Sequence, residues 1–225
     1  MAIKAAGIIS PGDMGSAVGK TLKLNGLDVA TCLEGRSDLS RLRAKEAGFR
    51  IVASFDDLVK SVDLLLSIVP PAQAVGLAER VAAVLRSTGA SLTYVDFNAI
   101  APKTSQHVGS IITAAGSKFV DGGIIGNPPR QGGRTRFYVS GSDSAAAMDL
   151  GKFGLEVRSL GDEIGRASGL KMVYAASTKG TTALWTELMV AARALGLEEA
   201  LKAEFGTNRA DIAQALIGRI PPMPR

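Results

Sequence analysis

Short runs of apolar, largely β-branched residues alternate with stretches whose apolar positions recur at helical spacing through the first two-thirds of the chain. Residues 3–9 form the first apolar run, with the length and character of a buried parallel strand. A glycine-rich turn follows, and then a helix whose Met14, Val18, Leu22 and Leu24 are expected to face the sheet and which Gly26 ends. Further strands are predicted over 29–33, 63–69 (stopped by Pro70 and Pro71), 92–96, 118–121 and 136–140. Helices are predicted over 39–47 up to Gly48, from the prolines to about Arg86, and over 101–115. Alternation of this kind predicts an α/β fold with a doubly wound parallel sheet.

After Gly161 the pattern changes. Residues 165–195 contain no proline, and Leu170, Val173, Ala176, Thr178, Leu184, Leu188 and Val190 recur at helical spacing, predicting one long interdomain helix. Two shorter helices are expected over 197–205 and 208–217, with Thr207 or Asn208 as N-cap. The expected organisation is a sheet domain over 1–162 and an all-helical substrate and dimerisation domain over 163–225. So thin a second domain points either to truncation or to completion by a partner subunit.

Composition narrows the function classes. Hydrophobic residues make up 46% and charged residues 21%, as in globular chains. The net charge of +5 comes from scattered basic residues, and aromatics are only 5%. An anionic cofactor or substrate fits that balance better than nucleic acid. Lys4 interrupts the start and no apolar leader segment follows, while residues 64–69 are too short to span a bilayer, so neither secretion nor a membrane is expected. The single Cys32 excludes an internal disulfide and suits a reducing, cytoplasmic compartment. With His107 the sole histidine, and in an expected surface helix, zinc sites and Ser–His–Asp hydrolysis drop out.

Three segments carry candidate chemistry. The first is GIISPGDMGSAVGKTLKLNG, residues 7–26, where Ser10, Gly12, Asp13, Met14 and Gly15 form an S-x-G-x-x-G turn between strand and helix. Gly12 lets the backbone approach a pyrophosphate, Gly15 lets the helix pack closely on the strand, and the helix N-terminus favours the anion. A tight turn without a ligand is the bland alternative. About twenty residues on, Arg36 and Ser37 favour the 2′-phosphate of NADP, while Glu34 keeps NAD open through the ribose hydroxyls. A solvated loop arginine is the bland reading there.

The second segment, residues 119–130, is predicted to be a rigid loop with outward amides, able to bind a carboxylate or phosphate with Arg130 and Arg134 as charge partners. Plain turn chemistry explains it nearly as well. In the third, residues 161–180, Lys171 falls in the first turns of the long helix with Tyr174, Ala175 and Thr178 on its face. A lysine in a partly desolvated cleft can serve as general acid or base, although a helix lysine is usually solvated.

These segments, in this order, resemble the β-hydroxyacid dehydrogenase superfamily, which includes 6-phosphogluconate and 3-hydroxyisobutyrate dehydrogenases. The resemblance runs from Gly7 to about Ala203. DGGIIGNPP and KMVYAASTKGTTALWTEL are most similar to a divergent branch of NAD-binding phosphogluconate dehydrogenase-like proteins, whose C-terminal domain has no assigned function. The resemblance implies a Rossmann domain followed by a helical domain, a homodimer through the latter, and an active site between domains. It implies hydride exchange between NADP or NAD and a small polar, anionic hydroxy or keto compound, with Lys171 shuttling the hydroxyl proton. Val69, Pro70 and Asn98 fall in loops that resemble the nicotinamide side. Asp121 and Gly126 match the substrate loop, and Asn127, Tyr174 and Thr178 could replace missing hydrogen bonds. Missing they are: the family's carboxylate-binding serine aligns with Ile125, its asparagine after the lysine with Ala175, and a motif glycine with Ala167. Imine reduction on the same scaffold and a non-catalytic dinucleotide sensor remain as alternatives.

Overall fold

The computed structural model describes residues 3–130, 134–211 and 214. The chain divides into two compact units, Met1–Met172 and Val173–Arg225.

The first unit is built on an eight-stranded sheet of order β3-β2-β1-β4-β5-β6-β7-β8. Its strands are β1 (Ala5–Ile8), β2 (Asp28–Cys32), β3 (Arg50–Val52), β4 (Leu64–Ser67), β5 (Thr93–Asp96), β6 (Lys118–Ile125), β7 (Arg136–Ser140) and β8 (Glu156–Ser159). The first six run parallel; β7 returns antiparallel to β6 and β8 runs parallel to β7. The helices are α1 (Asp13–Leu24), α2 (Asp38–Glu46), α3 (Phe55–Lys60), α4 (Ala74–Thr88), α5 (Pro102–Ala114), α6 (Ala145–Met148) and the first residues of α7 (Arg166–Ala175). On one face of the sheet Val18 and Leu22 of α1 meet Ile8, Val29 and Phe137. On the other, Leu58, Val81 and Ile112 of α3, α4 and α5 cover Leu65, Tyr94 and Phe119. Burial of these two apolar layers is what selects the doubly wound arrangement.

The pattern of residues located the main strands and helices, with some differences. Leu24 is 77% exposed rather than sheet-facing, because it lies two residues, about 200°, around the helix from Leu22. Residues 122–125, expected to be loop after a strand ending at Asp121, continue β6 and pair with β7 as far as Ile125↔Arg136. Glycines weaken a strand, but Gly122 and Gly123 are required here by close neighbours: a Cβ on Gly122 would lie 2.4 Å from Phe97 Cδ1, and one on Gly123 2.7 Å from the Ala167 carbonyl. β3, α3, α6 and β8 were not predicted at all. Each has at most six residues, and β3 and β8 are edge strands with little buried apolar pattern.

The second unit comprises the last residues of α7, a π-helical turn at Ala176–Gly180, α8 (Thr181–Ala194) and α9 (Glu198–Asn208). Trp185 on α8 and Phe205 on α9 form a T-shaped pair at a ring separation of 5.5 Å. α9 extends three residues beyond its predicted end, so Thr207 and Asn208 lie in its last turn and cap nothing. The Thr207 hydroxyl instead donates to the Ala203 carbonyl at 3.1 Å. Half of the helix expected over 208–217 lies outside the described residues.

Candidate active site

β1 delivers the chain to the glycine turn at the C-terminal edge of the sheet. A Cβ on Gly15 would sit 2.1 Å from the Ser10 carbonyl oxygen, so only glycine lets α1 start this close to the strand. Around Gly12 the space is open, with nothing within 4 Å of its Cβ position. Gly12 is the N-cap of α1 and offers no side chain to its first amides. An uncapped helix start beside open space is the cradle a pyrophosphate needs, so the residues present fit a dinucleotide. Ser10 occupies the expected glycine position without strain, because every described residue with positive φ is a glycine and Ser10 is not among them. Asp13 turns its carboxylate sideways to Arg130, with Arg43 at 3.7 Å from the same oxygen. Arg130 of the β6–β7 loop is thus brought to the glycine turn.

At the end of β2, Arg36 folds back across that turn and donates from Nη2 to the Ile9 carbonyl at 3.0 Å. Burial pulls its guanidinium below the ordinary value, with Cys32 opposing and Arg80 adding to the shift. Ser37 caps α2, accepting from the Ser40 amide at 3.3 Å. The exposed Glu34 carboxylate lies 3.9 Å from Arg80.

The loops after β4 and β5 are tied together by Asn98, which is 2% exposed. Its side-chain carbonyl accepts from the Val69 amide at 2.7 Å, and its amide group donates to the Ser67 hydroxyl at 2.8 Å. Asn98, expected to touch a cofactor, uses these two bonds to shape the loop that carries Val69 and Pro70. Its own N–H donates to Asp96 Oδ1 at 2.8 Å. Burial, offset by that bond and reinforced by the Asp121 charge, pushes the Asp96 carboxyl up to about 7. Asp96 Oδ2 is buried without a hydrogen-bond partner among the described residues. Nothing in the sequence pattern singled out this group; a carboxylate at the buried end of an apolar strand was the available signal.

Asp121, expected at the substrate, lies buried beneath the start of α7. It is 1% exposed. The Ser105 and Ser140 hydroxyls donate to its two oxygens at 2.7 and 2.9 Å, and the amides of Gly165, Ala167 and Ser168 donate to Oδ2 at 3.0, 3.0 and 3.1 Å. Its lone pairs are spent on the start of α7. Lys171, one turn on, is half-buried, and its Cβ lies 3.1 Å from the Cβ position of Gly123. Gly126 and Asn127 open the β6–β7 loop, where the Thr135 hydroxyl donates to the Asn127 carbonyl. Ile125, at the family's serine position, is buried. Tyr174 and Thr178 belong to the second unit, and the Thr178 hydroxyl donates to the Tyr174 and Ala175 carbonyls of its own helix. Among the described residues no group of three or more His, Cys, Asp or Glu side chains could hold a metal ion, and no helix is long and apolar enough to cross a membrane.

Comparison with known proteins agrees with this geometry. An uncharacterized 28.5 kDa protein of Methanothermus fervidus is 32% identical over 195 residues, spanning 87% of this chain and 73% of the relative. A conserved protein of unknown function, whose structure revealed similarity with 3-hydroxyacid dehydrogenases, superposes with a TM-score of 0.75 at 33% identity. That alignment covers 95% of this chain and 81% of the other. An imine reductase from Myxococcus stipitatus in complex with NADP+ shares the fold, with a TM-score of 0.71 at 19% identity over 96% of this chain and 74% of the other. The sequence profile of the NAD-binding domain of 6-phosphogluconate dehydrogenase matches residues 5–149, nearly the whole glycine-turn unit as far as α6. With that match over more than half its length, the chain belongs to the 6-phosphogluconate dehydrogenase NAD-binding family.

Proposed function

We propose that this chain is an NADP-preferring oxidoreductase that exchanges a hydride with a small polar, anionic hydroxy or keto compound, with Lys171 as general acid and base. The observation that carries the reading is the presence, in one compact unit, of an uncapped glycine turn and a lysine seated directly on β6. When bound, the nicotinamide cofactor supplies or accepts the hydride. Gly12, Met14 and Gly15 present the amides of α1 to its pyrophosphate, and Val69 and Pro70 form the loop that Asn98 holds in shape. Lys171 Nζ gives a proton to the nascent alkoxide in reduction and takes it back in oxidation.

The preference for NADP rests on Arg36, a half-desolvated cation beside the capped start of α2. Glu34, which NAD would need for its ribose, is drawn towards Arg80. Titration by nicotinamide fluorescence tests this: Arg36→Ala is expected to weaken NADPH about tenfold or more and leave NADH within about twofold, since a charge-assisted bond is worth ~1.5–3 kcal/mol. Equal losses for both cofactors refute the preference. Lys171→Ala is expected to abolish turnover of any hydroxy acid or ketone the wild type accepts, with cofactor affinity retained; undiminished turnover refutes the assignment.

Imine reduction is the second reading. The buried Ile125 in place of a carboxylate-binding serine, and the fold shared with an imine reductase, favour it. Screening ketones with amines against hydroxy acids separates the two. We also propose that the second unit pairs with a second copy of the chain.

A further inference from the structure

We propose that Asp121 is a positioning residue for Lys171: it holds the first turn of α7 on β6 and so fixes where the lysine is presented, rather than contacting substrate. The inference rests on the role proposed above for Lys171. Three contacts converge on one short stretch of helix. End-on, the buried carboxylate gathers the amides of Gly165, Ala167 and Ser168, the very donors that a helix start leaves unsatisfied. Its negative charge lies at the positive end of the helix dipole, which strengthens the hold. Side-on, the Cβ position of Gly123 is 2.7 Å from the Ala167 carbonyl and 3.1 Å from Lys171 Cβ, so the helix rests on bare backbone two residues along the same strand. From the third direction Gly165, at φ +106, turns the chain against Pro102 of α5, and Gln106 donates to the Ile164 carbonyl at 3.2 Å.

The carboxylate is itself held. Ser105 from α5 and Ser140 from β7 each donate to it, and the Ser140 hydroxyl also accepts the Ala167 amide at 3.1 Å. Asp121 and Ser140 are cross-strand partners in the β6–β7 ladder, so the acceptor, one donor and the helix start share one row of the sheet. Four donors converge on Oδ2 and Ser105 holds Oδ1, and at 1% exposure the carboxylate is shut off from solvent. Lys171, one turn beyond Ala167, inherits its position from this seat.

The test uses the whole chain, reductively methylated with 13C, with the dimethyl-Lys171 resonance assigned through Lys171→Arg. In Asp121→Asn, amide exchange at Gly165, Ala167 and Ser168 is expected to accelerate about tenfold or more, as loss of a charged acceptor implies. The Lys171 resonance and its titration midpoint are expected to move while the other lysines hold. A purely structural role would lower Tm and leave the Lys171 signal in place, and that outcome overturns the proposal. If Asp121→Asn does not fold, Ser140→Ala decides, since it removes one donor to the carboxylate and the second acceptor of the Ala167 amide. Faster exchange at Ala167 with a displaced Lys171 signal supports the inference; unchanged exchange and signal overturn it. Neither readout needs turnover or bound cofactor, so an inactive chain would refute the proposed function while leaving this question decided separately.

Discussion

At the scale of single residues, Asp96 and the two turn glycines make the sharpest claims. The Asp96 carboxyl, pushed up to about 7 mainly by burial, keeps in the folded protein a proton that the unfolded chain releases near pH 4. Between those values the native state binds more protons than the unfolded state, so stability falls as pH rises, by up to ~1.4 kcal/mol per unit, and levels off above about 7. Urea unfolding at pH 5.5 and pH 8 should therefore show wild type weaker at the higher pH and Asp96→Asn nearly flat; equal slopes would sink the claim. Asn keeps an acceptor for the Asn98 amide, so the variant removes the charge with little change of shape. Gly12 and Gly15 part company in the same spirit. Gly12→Ala has open space and an ordinary φ of −69°, so Tm should hold while the cofactor loses its close approach. Gly15→Ala drives a methyl into the Ser10 carbonyl and should lower both Tm and affinity, the former by about 1–3 kcal/mol of stability. The reading fails if Gly12→Ala binds NADPH as the wild type does. The S-x-G-x-x-G spelling made the close packing at Gly15 and the open space at Gly12 legible in advance. Asp96 was not legible, since its shift comes mainly from burial, which tertiary packing decides.

At the scale of elements, long and strongly patterned segments declared themselves, whereas short or glycine-rich ones did not. α1, α4 and α5 bury clear apolar stripes, so periodicity found them. β6 misled because its glycines answer to Phe97, Ala167 and Lys171, contacts far apart in sequence that no local pattern encodes. The same segment explains why Asp121 looked like a substrate ligand: at the end of a predicted strand it faces the loop, whereas within the longer strand under a helix start its carboxylate is taken up by protein donors. The β4 and β5 loops offer a direct test of element coupling. Asn98→Ala removes the acceptor of the Val69 amide and the donor to Ser67, leaving buried groups unpaired at a cost of roughly 2–4 kcal/mol. Lower Tm and faster exchange at the Val69 amide are expected, and weaker nicotinamide binding with them. Unchanged exchange at Val69 would show that the two loops hold their shape independently.

At the scale of the whole molecule, the two units differ in how they meet water. The first buries most of its large apolar residues in two layers about the sheet, with a scattered few such as Leu24 and Leu39 exposed, whereas the second exposes several on its helices: Val173 at 71%, Leu184 at 56%, Val190 at 60% and Leu195 at 72%. On α8 the Trp185 face is already occupied by Phe205. Leu184 and Leu188 on α8 and Leu195 at its C-cap, spaced at four and eleven residues from the first, form a separate stripe. Scattered exposed leucines need no explanation, but a continuous stripe on a thin helical unit costs solvation at every position unless something covers it. A second copy presenting the same stripe is self-complementary, and at ~25 cal/mol per Å2 of buried apolar surface a few leucines from each copy contribute several kcal/mol. Light scattering should therefore report twice the chain mass at micromolar concentration. Leu184→Glu combined with Leu188→Glu should give a monomer that still binds nicotinamide, because the glycine turn lies in the other unit. A wild type that stays monomeric, or a doubly substituted chain that stays dimeric, would move the interface off this stripe.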